Sequence, residues 1–224
     1  MTTSVLKQKL LSALATGLAW FPLRVLHSAA VPVAWLLGRL PLGKHAIVDR
    51  NLSACFPELS THSRRQLESA QRVELVRLAA EFGALSRWSE RKLNAHIHVI
   101  TGWEHVEAAV QEGTGVLMVT GHLGNWEILN LYLSRRLETV TLYRPPDQPW
   151  LDEFISKIRC RFGGRVVASS SRSMRHLLGQ LRKGGAVAIA ADIQPKHGDG
   201  VFAPFLGVPA LTMTLVHRLA HRTG

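Results

Sequence analysis

Apolar residues follow two different patterns along the chain, and the first occupies its beginning. Two apolar runs, 10–23 and 29–37, contain few charged side chains. Each run is shorter than the roughly 18 to 20 residues that a membrane-spanning helix needs. Pro22 and Pro32 are expected to break the combined stretch. The pattern therefore favours helical segments that lie in or dip into a membrane interface over one clean spanning helix.

Basic residues flank and interrupt these two apolar runs, namely Lys7, Lys9, Arg24, Arg39 and Lys44. Long cationic side chains in such places are typical of a segment at an anionic membrane surface. A basic start followed by a short apolar core also fits a cleaved signal peptide, and a buried core hairpin is a third interpretation. We predict that residues 1–45 form a hydrophobic membrane-associating segment.

Residues 46–97 are predicted to be a helical connector region. Proline and glycine punctuate the stretch 41–57, which is typical of a linker. Ser63, followed three residues later by Gln66, has the form of a capping box, and an apolar stripe at helical spacing continues to about Trp88. Arginines interleave with that stripe, so it presents either a solvated basic face or a contact surface for lipid head groups.

From residue 98 onward, short β-branched runs alternate with stretches of helical spacing. The predicted strands are 116–119, 139–143, 165–168 and 186–191, and the predicted helices are 103–111, 126–137, 151–162, 174–181 and 211–221. This order predicts an α/β fold with a mostly parallel sheet flanked by helices on both faces. We expect residues 98–224 to be a catalytic domain, truncated at its C-terminus.

Composition and charge narrow the possible classes of protein. Hydrophobic residues make up 46% of the chain and charged residues 19%, which excludes a disordered chain. The net charge is +11, which favours a polyanionic partner such as nucleic acid, an anionic membrane or an acidic carrier protein. The two cysteines, Cys55 and Cys160, are far apart, which excludes a disulfide scaffold and favours a reducing compartment.

The most informative stretch is Gly-His-Leu-Gly-Asn-Trp-Glu at 121–127, where a predicted strand gives way to a helix. An open α/β sheet normally places its chemistry at this edge. His122 can act as a general base near neutral pH, and Glu127 can hold its tautomer and stabilise the imidazolium. The first amides of the helix could support an oxyanion. The alternative is a histidine that merely caps or packs; metal ligation is not favoured, because no third ligand has suitable spacing.

Other polar residues follow the ends of the neighbouring predicted strands: Tyr143-Arg144, Ser169 to Arg172, and Asp192. Because parallel strands end at one edge of a sheet, we expect these side chains to converge on His122. His197 and Asp199 are interpreted as residues of a polar turn. The segment 201–209 is unusually apolar for a loop, so it either packs in the core or forms a wall for an acyl chain.

Four stretches together carry a resemblance to a known family: 51–60, 121–127, 158–163, and Asp192 with 202–209. The chain resembles the lipid A biosynthesis late acyltransferases, the lauroyl and myristoyl transferases of Gram-negative envelopes, within the lysophospholipid acyltransferase superfamily. The resemblance implies an enzyme of the bacterial inner membrane whose catalytic domain faces the cytoplasm. It would move a fatty acyl chain from an acyl carrier protein or acyl-CoA to a hydroxyl of a membrane lipid, and we expect that acceptor to be a lipid A precursor.

The resemblance also implies roles for individual residues. His122 is similar to the family's base, Glu127 would support it, and Arg159 and Asp192 are similar to its further polar residues. We predict substrate contacts at six positions: Asn125, Arg144, Arg159, Asp192, Phe202 and Phe205. The expected mechanism is direct acyl transfer without an acyl-enzyme, and it needs no metal or redox cofactor.

Two other functions remain as alternatives. A basic nucleic-acid-binding protein would explain the charge, but the sequence has no recognition helix, aromatic RNA-binding strand or zinc-ligand spacing, so no nucleic acid partner is expected. An acyl thioester or lipid hydrolase could use the same histidine to activate water or a serine of the 169–171 cluster. The sequence has no G-x-S-x-G elbow, so these serines are candidates by position alone.

Overall fold

The computed structural model describes residues 3–40, 45–170, 172–195 and 199–224. Within these ranges the helices are α1 (Thr3–Ala19), α2 (Leu23–Leu37), α3 (His45–Cys55), α4 (Thr61–Leu85), α5 (Glu90–Asn94), α6 (Trp103–Gln111), α7 (Trp126–Arg136), α8 (Pro149–Arg159), α9 (Ser173–Leu181) and α10 (Leu215–Thr223). The strands are β1 (Val116–Thr120), β2 (Thr139–Tyr143), β3 (Arg165–Ala168), β4 (Ala186–Ala190), β5 (Gly200–Phe205) and β6 (Val208–Met213).

The first four strands form a parallel sheet in the order β1-β4-β2-β3. The predicted α/β class and parallel sheet are therefore confirmed, and each of the four strands begins at its predicted residue. β4 comes last in sequence but lies between β1 and β2 and pairs with both. This insertion decides which strand ends are neighbours at the carboxyl edge of the sheet.

Helices cover both faces of this sheet. On one face, Val187 and Ile189 of β4 pack with Leu177 and Leu181 of α9 and with Leu219 of α10. Thr141 of β2 lies on the opposite face, where its hydroxyl donates a 2.6 Å hydrogen bond to the side chain of Asn130 in α7. Because successive residues of a strand point to opposite faces, α7 lies across the sheet from α9.

The N-terminal apolar runs form the helices α1 and α2. Pro22 separates the two helices and is the N-cap of α2, as expected of a helix-breaking residue. The expectation for Pro32 was wrong, because Pro32 lies inside α2 without breaking it. The buried residues Leu26, Ala30 and Ala34 lie on both sides of Pro32 at helical spacing, and the packing of that stripe outweighs the lost backbone hydrogen bond. In the described part of the chain, no helix is both long and apolar enough to cross a membrane.

Two helix boundaries differ from their predictions. The predicted connector 41–57 contains the helix α3, since the stretch from His45 to Cys55 has neither proline nor glycine; residues 41–44 lie outside the described ranges. α4 begins three residues earlier than the proposed capping box. Its N-cap is Ser60, whose side chain accepts the backbone N–H of Ser63, so Ser63 is the third residue of the helix and not its cap.

The apolar segment 201–209 belongs to a β-hairpin and is not a loop. Because the second strand of this hairpin continues to Met213, the last helix begins at Leu215 and not at the predicted residue 211. Strands β5 and β6 are joined by Leu206 and Gly207, which have φ values of 50° and 79°. Two consecutive positive φ angles are typical of the tight turn that closes a two-residue hairpin. Pro204 is compatible with β5, because both strands of a two-stranded sheet are edge strands, where proline is tolerated.

The chain divides into two compact units. The sheet unit comprises residues up to Ser12, then 88–201 and 211–224, and the helical unit comprises 13–87 with the hairpin tip 202–210. Our three-part division at residues 45 and 97 remains a prediction about domains. The candidate chemistry around His122 belongs wholly to the sheet unit.

Candidate active site

Strand register places His122 beside Asp192. In the β1–β4 pair, Thr120 lies opposite Ala190, and the amide of Ala191 donates a 2.9 Å hydrogen bond to the carbonyl of Thr120. The residues that leave the two strands are therefore neighbours at the carboxyl edge of the sheet. Although 70 positions separate them in sequence, His122 and Asp192 meet because β4 is inserted next to β1.

Asp192 binds His122 at two points. Its Oδ2 accepts the backbone amide of His122 at 2.6 Å, and its Oδ1 lies 2.8 Å from the ring Nδ1. A carboxylate only accepts, so Nδ1 carries the proton and Nε2 is left as the basic nitrogen. Each of the two side chains is 39% exposed, so the imidazole is accessible to a reactant. The ring of Trp126 packs edge-on against it at 4.6 Å and restricts its orientation.

The pKa of the Asp192 carboxyl is below its usual value. Burial acts to raise that pKa, but the hydrogen bonds from the amide and ring of His122, together with the attraction of an imidazolium charge, outweigh burial and lower it. Asp192 is thus held as a carboxylate beside the ring. A carboxylate in this position favours the imidazolium form, which is the product of proton abstraction by His122.

The residue before His122 is a glycine that leaves room for this carboxylate. A Cβ added at Gly121 would lie 3.1 Å from Oδ2 of Asp192, closer than an ordinary van der Waals contact. A larger residue would push the carboxylate away from the backbone amide that it binds. Gly121 therefore contributes to the His122–Asp192 geometry by being small.

Glu127 is paired with Arg159 and not with His122. The guanidinium of Arg159 donates to both carboxylate oxygens, from Nε at 3.0 Å and from Nη2 at 2.5 Å. The side chain of Glu127 is only 7% exposed and that of Arg159 17%, so this is a largely buried ion pair. We expected Glu127 to hold the imidazole, but among the described residues the carboxylate bonded to that ring is Asp192. A buried carboxylate needs a charged partner, and Arg159 supplies it.

Asn125 caps the helix that follows the histidine loop. Its Oδ1 accepts the amides of Glu127 at 3.1 Å and Ile128 at 3.3 Å. These are two of the first amides of α7 that we expected to support an oxyanion, and the asparagine side chain already occupies them. The structure gives Asn125 a capping role, and its contact with substrate remains a prediction.

Tyr143, at the end of β2, belongs to a polar cluster next to Arg159. Its hydroxyl donates a 2.9 Å hydrogen bond to Asp152, and the Arg159 guanidinium lies 5.8 Å from the centre of its ring. Burial, together with the neighbouring Asp152 carboxylate, raises the pKa of the Tyr143 hydroxyl. The sequence analysis did not single out Asp152; its signal was its place in the first turn of α8, after the polar end of β2.

The other predicted positions are dispersed. Arg144 is an exposed residue just after β2. Phe202 and Phe205 lie in the hairpin tip of the helical unit and are 75% and 60% exposed. Ser170 and Ser173 form the entry to α9, where the amide of Ser170 donates to the Ser173 hydroxyl at 2.7 Å. Ser171 and the turn residues 196–198, with His197 among them, lie outside the described residues.

Comparisons with known proteins were consistent with one another. The family model described as bacterial lipid A biosynthesis acyltransferase matches residues 3–224. The chain is 26% identical over 96% of its length to a lipid A biosynthesis lauroyltransferase of Escherichia coli K12. It is 22% identical over 91% of its length to a lipid A biosynthesis acyltransferase of Haemophilus influenzae, and 25% identical over 76% to a lipid A biosynthesis palmitoleoyltransferase of E. coli K12. The chain spans 71%, 64% and 55% of the lengths of these relatives, respectively.

Proposed function

The chain belongs to the bacterial lipid A biosynthesis acyltransferase family, and from this premise we propose that it transfers a fatty acyl group from a thioester to a hydroxyl of a lipid A precursor. The observation that carries the proposal is the accessible His122 ring, bonded through Nδ1 to the Asp192 carboxylate. Because Nδ1 is bonded to Asp192, the nitrogen that can accept a proton from a reactant is Nε2, on the other side of the ring. A base with that geometry is what acyl transfer to an alcohol requires.

The reaction proceeds by direct attack on the thioester. Nε2 of His122 takes the proton of the acceptor hydroxyl while its oxygen bonds to the thioester carbonyl carbon. The tetrahedral intermediate then expels the thiolate, which takes the proton from the imidazolium as the ester forms. Atoms and charges balance without an acyl-enzyme. General-base assistance of this kind is typically worth about 10² to 10⁴ in rate.

Asp192 takes the supporting role that the sequence suggested for Glu127. It fixes the tautomer by accepting from Nδ1 and stabilises the positive charge that develops on the ring. Its second hydrogen bond, to the His122 amide, fixes the carboxylate relative to the backbone. Glu127 acts one step further away, by positioning Arg159 through the buried ion pair.

We assign the stabilisation of the oxyanion to Arg159. Two amides of α7 are occupied by Asn125, so they cannot serve that purpose. Arg159 uses Nε and Nη2 for Glu127, and within the described residues its Nη1 donates to no other group. A single oxyanion donor is typically worth about 10² to 10³ in rate.

The proposed donor is an acyl carrier protein or acyl-CoA, and the proposed location is the cytoplasmic face of the bacterial inner membrane. Two features support this. The net charge of +11 attracts an acidic carrier and anionic head groups. The N-terminal helices and the turn between them also expose large apolar side chains, among them Trp20 at 84% and Trp35 at 62%. Arg39, stacked on Trp35, would extend to the head-group layer.

The test is transfer of a labelled acyl chain from a thioester donor to a lipid A precursor, followed by mass spectrometry. His122→Ala should reduce turnover by about 10² or more, whereas His105→Ala, at an exposed position of the same unit, should leave it unchanged. Turnover of His122→Ala within a fewfold of the wild type would remove His122 from the mechanism. Release of free fatty acid in place of acylated product would favour a hydrolase.

A further inference from the structure

A second concave site lies away from His122, along the outer strand of the sheet. It is a groove of about 480 Å³ between β3 and α9, which falls in the size range of small-molecule sites. β3 is at the opposite end of the strand order from β1, the strand that precedes His122, so roughly 14 Å of sheet, three strand spacings, separates the two strands. We call it the β3 groove.

The β3 groove is strongly cationic. Four of its ten lining residues carry basic side chains and none is acidic; the basic ones are Arg165, Arg175, His176 and Lys183. Arg175, His176 and Lys183 are exposed and make no side-chain hydrogen bond or ion pair among the described residues. Uncompensated positive charge gathered in one concavity favours an anionic ligand.

One of these cations is held in place by a buried amide. Nη2 of Arg165 donates a 2.8 Å hydrogen bond to Oε1 of Gln180, a residue only 5% exposed. The Gln180 amide in turn donates to the backbone carbonyl of Glu138 at 2.6 Å. Fixing an arginine fork in advance lowers the entropic cost of binding a ligand oxygen.

Gly179 keeps the wall of the groove open. It lies in the middle of α9, where glycine is a poor helix former, and a Cβ added there would meet no heavy atom within 4 Å. Close packing therefore does not require a glycine at this position. A side chain at 179 would project into the groove between Arg175 and Lys183, one helical turn away on either side.

We propose that the β3 groove binds a phosphate-bearing ligand, whose source is either a soluble phosphate compound or the head group of an anionic lipid. Two guanidinium forks and an ammonium match a group with several negative charges and many acceptor oxygens better than a single carboxylate. The valines of β2 and β3 in the lining supply an apolar contact for the rest of the molecule. This site is independent of the acyl-transfer chemistry proposed above.

The experiment uses the full chain in neutral detergent at fixed ionic strength and measures binding by calorimetry. The probes are inorganic pyrophosphate, which represents a soluble source, and dihexanoyl phosphatidic acid, which represents a lipid source. Arg175→Gln and Lys183→Gln should each weaken the tighter probe about tenfold or more. Arg182→Gln, next to Lys183 but outside the groove, should change affinity less than twofold.

Gly179→Leu should weaken binding by occupying the part of the groove between Arg175 and Lys183, and Gly179→Ala should retain it. Circular dichroism checks that each variant folds. If Gly179→Leu does not fold, the affinities of Arg175→Gln and Lys183→Gln test the site. Tighter binding of pyrophosphate assigns a soluble ligand, and tighter binding of the phosphatidic acid assigns a lipid. Three results would overturn the site: neither probe binding at millimolar concentration, Arg182→Gln weakening binding as much as Arg175→Gln, or a folded Gly179→Leu binding normally.

Discussion

Asp192 contacts His122 through both of its carboxylate oxygens, one at the backbone amide and one at the ring. The amide contact fixes where the carboxylate lies, and the ring contact fixes which nitrogen holds the proton. The two bonds together orient the imidazole more firmly than either bond alone.

Replacing Asp192 with asparagine should lower kcat for acyl transfer by about 10² to 10⁴, because an amide cannot stabilise the imidazolium and can select the wrong tautomer. Steady-state kinetics with a labelled thioester would measure the loss. Asp49→Asn is the matched control, since that carboxylate pairs with Arg64 in the helical unit. Equal activity of Asp192→Asn and the control would show that another group supports the ring.

The lowered pKa of Asp192 predicts a specific pH dependence of stability. A carboxyl whose pKa is lower in the folded state stabilises the fold above its unfolded pKa of about 3.9, and this contribution is lost as the pH falls through the folded value. The difference in unfolding free energy between wild type and Asp192→Asn should therefore decrease as the pH falls from about 5 to 3. Urea titrations between pH 3 and pH 7 would measure it. A difference that grows as the pH falls contradicts the assigned direction.

Glu127→Gln should destabilise the protein by about 3 kcal/mol or more, because it leaves the buried guanidinium of Arg159 without a counter-charge. The double variant with Arg159→Gln should lose less than the sum of the two single variants. Glu74→Gln provides the control: Glu74 pairs with Arg77 but is 66% exposed, so it should cost less than about 1 kcal/mol. If Glu127→Gln costs no more than this control, the buried ion pair contributes no more to stability than an exposed one.

Phe202→Ala and Phe205→Ala test the predicted wall for an acyl chain. Both side chains are well exposed, so truncation should change stability by less than about 0.5 kcal/mol. If they contact the donor chain, KM should rise about tenfold for a long-chain thioester and remain unchanged for a short one. Val99→Ala, at another exposed apolar position, serves as control. Equal changes in KM for the long-chain and the short-chain thioester would show that these residues do not bind the acyl chain.

Local sequence pattern was sufficient for the parallel sheet. Runs such as 139–143 and 165–168 are rich in β-branched residues, and glycines with positive φ, such as Gly113, Gly163 and Gly184, follow the ends of helices. The hairpin at 200–213 was missed because its strands do not alternate polar and apolar residues and one of them contains Pro204. Its turn signal was present, since Leu206 precedes Gly207, but leucine rarely adopts a positive φ.

Sequence pattern also predicted which polar residues lie at the carboxyl edge of the sheet, but not how they pair. Glu127 was predicted to support His122 because it follows five residues later, at the start of the next helix. The observed partners are set by tertiary structure: strand order brings Asp192 to His122, and the end of α8 brings Arg159 to Glu127. Neither strand order nor the approach of two helices is encoded in a local spacing, so the sequence pointed to both carboxylates but not to the partner of each one.

The late insertion of β4 between β1 and β2 has a consequence for how the protein is made. Ribosomes deliver His122 seventy residues before Asp192, and β4, the strand that brings the two together, is the last of the four to be synthesised. A growing chain therefore cannot form the His122–Asp192 pair until β4 has been made.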